Sequence, residues 1–213
     1  MKKLVQSFGF ALGVKASSAC KLSFVVGSHM IWLSPASILV PLTGAFGGIL
    51  GASVVCVIRM IVHCIIFKTL ALSSLAFFVP GYCASIYWAT SSSVIRFFLP
   101  LACMVLFIAH PIGGQAFLYS LYWLIPVVLF FIPRQSLFLN ALGSTFVAHA
   151  VGSVIWLYTV PMSAAIWLSL IPVVAVERLL FACSMVVLYN IAAWVKNLNV
   201  VSALFVRKSG LTV

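Results

Sequence analysis

Apolar runs at about 22–41, 45–67, 70–89, 97–112, 115–132, 136–158 and 164–195, parted by short breaks of Pro, Gly and Ser, leave this chain almost no stretch suited to water. A bilayer core about 30 Å thick takes roughly 20 apolar residues per helical span, so 213 residues built this way hold roughly six or seven spans and no soluble domain. Only 6% of the residues are charged, where soluble domains carry about a quarter, and the mean hydropathy is +1.28. The sequence predicts an all-α, polytopic integral membrane helix bundle.

Twelve Lys and Arg against one acid give a net charge of +11. They scatter at span ends and form no stripe interleaved with aromatics, so they read as topology signals and not as a nucleic-acid surface. Seven crossings would put Lys2, Lys3, Lys15 and Lys21 on one side and Lys196, Arg207 and Lys208 on the other. The segment TLALSSLAFFVPGYCASIYWATSSS is interrupted by Ser73, Ser74, Pro80, Gly81 and three serines at 91–93. Irregular backbone at membrane depth is tolerated only where protein or a water-filled cavity surrounds it. If this segment does not fully cross, six crossings plus one re-entrant or broken segment bring both tails, Lys68, Arg96 and Arg134 to one cytoplasmic side of an inner membrane. The outer breaks are then 41–44, 110–114 and 158–163, none with Lys or Arg.

The expected organisation is a basic cytoplasmic lead-in at 1–21, a single transmembrane domain at 22–195 and a basic cytoplasmic tail at 196–213. The lead-in reads as amphipathic and not as a cleaved signal, because Phe8 to Val14 is a short core and Lys15 and Lys21 follow it. Six cysteines, at 20, 56, 64, 83, 103 and 183, form no C-x-x-C pair and fall mostly in apolar runs, so neither a disulfide framework nor a zinc site is expected. There is no phosphate-binding loop, no H-E-x-x-H, no G-x-S-x-G and no second carboxylate. The chain reads as a non-enzyme without a cofactor, and any ATP-driven step falls to a partner.

In PLTGAFGGILGA, Pro41 to Ala52, overlapping small-xxx-small spacings join Gly44 with Gly48, Gly47 with Gly51 and Gly48 with Ala52. Such spacing lets a second helix backbone approach closely and gain van der Waals contact, within the protein or with a subunit. In AHPIGGQAFLYSLYWLIP, Gln115, Tyr119 and Tyr122 recur at i, i+4 and i+7 and predict one shared face, either an interfacial aromatic belt or the wall of a ligand pocket. In FVAHAVGSVIWLY, His149, Gly152, Ser153 and Trp156 fall on one side of a helix. His149 there serves either to tie neighbouring helices or to bind a ligand.

Glu177, the only acid, and Arg178 lie inside the apolar run VVAVERLLF. A charge at the bilayer centre costs about 2.5 to 3.5 kcal/mol on insertion scales, so such residues face the bundle interior and find partners. At about 1.5 Å per residue, Glu177 lies about 18 Å deep in the last span and Arg59 about 21 Å deep in the second, which makes an Arg59–Glu177 ion pair the geometric expectation. Arg178 is then left for an anionic ligand or a lipid headgroup, or it snorkels.

Six spans, the P-L-x-G-x-x-G-G-x-x-G segment at 41–51 and the late H-x-x-x-S…W…P region from His149 to Pro161 together resemble the substrate-binding S component of energy-coupling-factor vitamin transporters. The resemblance implies capture of a vitamin-like molecule from outside, then docking on a transmembrane coupling subunit served by ATPases. It also implies an outer-half binding wall of Gln115, Tyr119, Tyr122, His149, Trp156, Glu177 and Arg178. The segment at 70–93 has no clear counterpart in that family, and the family's alanine-rich docking face is only faintly suggested by Ala11, Ala16 and Ala19. The alternative reading is a non-transporting structural or assembly subunit of a membrane complex.

Overall fold

The computed structural model describes residues 22–26, 29–33, 35–68, 75–133 and 136–209, with side chains between 37 and 195. The lead-in at 1–21 lies outside the described residues. The described chain is predominantly helical, and three helices, Ser37–Phe67, Leu137–Thr159 and Ile171–Val195, are long and apolar enough to cross a membrane. Large apolar side chains are exposed along them and their neighbours, with Leu50 77%, Ile65 69% and Val105 66% exposed, as befits a surface that meets lipid.

The first departure from expectation is at the start. Residues 22–33, expected in the first helical span, form an antiparallel pair, β1 (Leu22–Val26) and β2 (His29–Leu33), in the register Leu22↔Leu33 to Val26↔His29. Both segments are rich in β-branched and aromatic residues and are separated in sequence by Gly27-Ser28, a combination that favours hairpins.

Helix α1 (Pro35–Phe67) runs through the PLTG stretch expected as a break and changes direction at Gly48, whose φ of 62° and ψ of −163° are non-helical. In a straight helix, residues 43 and 51 are about 12 Å apart along the axis. Here a Cβ placed on Gly51 would lie 3.7 Å from the Thr43 carbonyl oxygen. The arms 35–47 and 49–67 are therefore folded back on each other.

Both arms grip α2 (Val79–Ala89). On one side the Ser85 hydroxyl donates to the Val40 carbonyl at 2.7 Å, and Thr43 Oγ1 donates to Ser85 Oγ at 3.1 Å. Gly44 lies so close to the Ser85 backbone that a Cβ would run into its carbonyl. On the other side Ser53 and Tyr82 share a hydrogen bond of 2.9 Å, and the His63 ring packs edge-on to Phe78 at 5.3 Å. The order of these contacts makes 35–47 parallel to α2 and 49–67 antiparallel to it.

A π-helical turn (Val94–Phe98) leads into α3 (Leu99–Ala109). The next pass is assembled from α4 (Pro111–Gln115), α5 (Phe117–Ser120), a 3-10 turn (Leu121–Trp123) and α6 (Leu124–Phe130). Then come α7 (Leu137–Thr159), α8 (Ala164–Ser169) and α9 (Ile171–Ser209). At one end of the bundle Arg96 donates to Asn140 Oδ1 at 3.0 Å, and to the carbonyls of Tyr87 at 2.9 Å and Thr90 at 3.1 Å. At the other end Tyr158 donates to the Leu106 carbonyl at 2.9 Å and stacks edge-on against His110. Among the described residues, seven helical segments thus alternate in direction, where six crossings plus one re-entrant or broken segment were expected. At about 1.5 Å per residue, 35–47 and α2 reach only about 20 Å and 16 Å, short of the bilayer core.

The direction of α2, which leads from the Lys68 end toward the Arg96 end instead of turning back, also corrects the charge map. The second arm climbs past Phe78 to the end opposite Arg96, so Lys68 does not share a side with Arg96. Lys196, Arg207 and Lys208 continue α9 at the Arg96 end, and Arg134 lies outside the described residues.

Two measurements test this arrangement. Gly44→Ala should lower stability by about 2–3 kcal/mol, the upper part of the range for overpacking, whereas Gly47→Ala, with nothing within 4 Å of its Cβ, should leave the thermal midpoint in micelles unchanged or slightly raised. In a background stripped of native cysteines, Lys68→Cys and Ser136→Cys should react with an impermeant maleimide from opposite sides of the membrane; labelling from one side would rule out the pass of α2 from the Lys68 end to the Arg96 end.

Candidate functional site: a cavity around the buried charges

The seven segments do not close on each other at mid-depth. They leave a cavity of about 780 Å³ bounded by both arms of α1, the start of α2, α5, α7, α8 and α9. One wall is a single face of α7, where Thr145, Ala148, His149, Gly152, Ser153 and Trp156 follow at helical spacing. Small residues in the middle of that stripe keep the space open, and Gly152 sits opposite Pro80.

The charges come from two helices. Arg178 donates from Nη2 to Glu177 Oε2 at 2.6 Å and from Nη1 to the Thr145 carbonyl at 3.5 Å, and its guanidinium lies 4.7 Å from the Phe181 ring centroid. This corrects the expected Arg59–Glu177 pair. Neighbours on a helix diverge by about 100°, but a guanidinium on its long stem bends back across that angle where a short carboxylate on another helix cannot be reached. The side chains of Arg178 and Glu177 are 12% and 19% exposed, and that exposure is to the cavity they line.

Arg59 opens on the same cavity from the second arm of α1. Its guanidinium carbon lies 5.2 Å from the Phe78 ring centroid, and a Cβ on Gly81 would be 3.9 Å from its Nη1. Among the described residues it forms no ion pair. Arg59, not Arg178, is therefore the cation left over.

His149 faces this space with Tyr119, their rings 5.3 Å apart. Its Nε2 is buried and has no hydrogen-bond partner among the described residues. Tyr119 shares a hydrogen bond of 3.3 Å with Ser153 and packs on Trp167 at 4.9 Å and Phe107 at 5.6 Å, the aromatic cluster that forms the floor. Trp156 is half-exposed, donates to Met162 Sδ at 2.9 Å and meets Phe77 edge-on at 5.7 Å.

Of the residues singled out from sequence, Tyr119, His149, Trp156, Glu177 and Arg178 meet in the cavity, whereas Gln115 and Tyr122 do not. The helix from Pro111 is interrupted at Ala116, with φ −108° and ψ 27°, and passes through the 3-10 turn, so the i, i+4, i+7 register is lost. Gln115 is exposed, and Tyr122 donates to the Ile171 carbonyl at 3.0 Å and stacks on Phe146. Of the four glycines at 44–51, only Gly44 makes a close backbone approach to another helix; Gly47 and Gly48 have nothing within 4 Å of a Cβ, and Gly51 faces the other arm of its own helix. The residues that sequence reasoning passed over are Phe77 and Phe78, in FFVPG. Their signal was an irregular stretch at membrane depth, which has to line protein or a cavity.

Chemically, the arrangement offers one uncompensated guanidinium, an imidazole able to donate or accept, the hydroxyls of Ser37, Tyr119, Thr145 and Ser153, and several aromatic faces. Comparison of the chain with protein-family models, curated proteins and solved structures finds no match.

Glu177→Gln leaves two arginines facing one cavity and should cost on the order of 3 kcal/mol, the low end for breaking a buried pair because the cavity partly solvates it. The Glu177→Gln, Arg178→Gln double variant should recover most of that loss. Thermal unfolding of the three proteins in micelles checks both statements.

Proposed function

We propose that this chain is a membrane-embedded substrate-binding protein that captures a small molecule in its cavity and moves it inward with a partner ATPase module. The observation that carries the reading is that the chain's only carboxylate, Glu177, and both Arg59 and Arg178 border one cavity of about 780 Å³, a size typical of small-molecule sites. On this reading energy coupling falls to other subunits, since the sequence carries no phosphate-binding loop. That division of labour agrees with the resemblance to energy-coupling-factor S components.

Orientation follows from charge. Arg96 and the continuation of α9 that carries Lys196, Arg207 and Lys208 lie at one end, which the positive-inside rule makes cytoplasmic, and Trp156 and Met162 then mark an outward mouth. Among the described residues, Lys68 is the exception at the outer end. A multi-pass protein of the cell (inner) membrane fits these positions.

The second reading, a structural or assembly subunit, is favoured by one observation: Arg178 closes on Glu177 and Thr145 within the chain and needs no ligand. Mass spectrometry of the gently purified protein separates the two. The transport reading expects a small molecule and ATPase subunits to co-purify, and expects Ala148→Phe, which fills the cavity from α7, to lose the small molecule while keeping its thermal midpoint within a few degrees. A clean spectrum for the unaltered protein supports the structural subunit.

A further inference from the structure

The cavity holds one more positive charge than the chain neutralises. Glu177 is the only acidic residue in the sequence and is taken by Arg178 at 2.6 Å, so Arg59 faces the cavity with no ion-pair partner among the described residues, the Phe78 ring lying 5.2 Å away. A buried guanidinium is stable when an anion completes it, and its planar fork matches a carboxylate with two parallel hydrogen bonds. A cationic ligand would meet two arginines there. A neutral one would leave Arg59 as it is.

Charge is one part of the recognition. Phe77, Phe78 and Trp156 lie along one side of the cavity, with Phe77 and Trp156 meeting edge-on at 5.7 Å, while Tyr119 and Trp167 close the floor. Rings arranged this way accept a flat apolar body by stacking or edge contact. The buried Nε2 of His149, unpartnered among the described residues and on the same α7 face as Trp156, supplies a further polar point. A cavity of about 780 Å³ accommodates a molecule of one or two rings.

Resting on the binding reading above, we propose that the ligand is a monoanionic aromatic acid whose carboxylate is held by Arg59, with its ring against Phe78 and Trp156. The single surplus cation sets the monoanion. A dianion would bring one charge more than the site balances. A membrane lipid phosphate carries the same single charge and could reach Arg59 from the bilayer, and the experiment separates the two sources.

The test uses the full chain in nanodiscs of phosphatidylcholine, titrated calorimetrically with benzoate, nicotinate and 2-naphthoate and with the primary amide of each. At least one acid should bind tenfold or more tightly than its amide. Arg59→Gln should abolish that difference and Arg59→Lys should retain part of it, each protein being checked for an intact thermal transition without probe. If Arg59→Gln fails to assemble, the acid-to-amide ratio of the unaltered protein and of Arg59→Lys decides. Amides binding as tightly as acids, or acid binding indifferent to Arg59→Gln, overturn the proposal while leaving the cavity a binding site. Binding of no probe overturns it too. Acids that bind in phosphatidylcholine but lose tenfold or more when phosphatidylglycerol is added identify a lipid phosphate as the occupant and also overturn it. Failure of the wider binding reading has its own signature, a clean mass spectrum of the purified protein.

Discussion

The close approach of Gly44 to the Ser85 backbone governs the cavity side of this protein. In lipid there is no hydrophobic force between helices, so association rests on van der Waals contact and on hydrogen bonds that leave no backbone group stranded. Ser85 supplies both. Its hydroxyl donates to the Val40 carbonyl and receives the Thr43 hydroxyl proton, and the absence of a side chain at Gly44 lets the two backbones touch. With the first arm of α1 fixed there, the reversal at Gly48 brings the second arm down the other flank of α2. Arg59 is delivered to the cavity as a result.

The electrostatics follow from that placement. A carboxylate that pairs with its sequence neighbour spends its charge on no other helix, so the Glu177–Arg178 pair is neutral in itself, touches α7 through the Thr145 carbonyl, and leaves the charge on α1 uncompensated. Had Glu177 reached Arg59 instead, the pair would have tied α1 to α9 across the space that now lies open. The same two residue types therefore act as a strut or as a lining, according to which arginine the acid takes.

Much of this was legible in the sequence, and the part that was not has a definite physical origin. The lack of charge and the length of the apolar runs point to a membrane helical protein without reference to packing. The stripe from His149 to Trp156 was readable because α7 is a continuous helix, for which spacing alone fixes the face. Gln115 and Tyr122 were misplaced because spacing means nothing across the interruption at Ala116 and the 3-10 turn. The reversal was expected at 41–44 and lies at Gly48 for a related cause: a glycine in a small-xxx-small pattern looks the same whether it packs against another helix or adopts a positive φ. The partner of Glu177 was set by the reach of the neighbouring arginine side chain, which depth counting along straight spans could not reveal.

The shortness of α2 has a consequence for how the protein is made. Eleven residues reach about 16 Å, too little for lipid to hold as an independent span, yet this helix is flanked by both arms of α1 and by α7, where Ser144 donates to the Ala84 carbonyl at 3.2 Å. Its slot is completed by a helix that leaves the ribosome more than forty residues later. The segment must therefore wait, at the membrane surface or against the α1 arms, until α7 is synthesised, so the cavity becomes complete late in assembly.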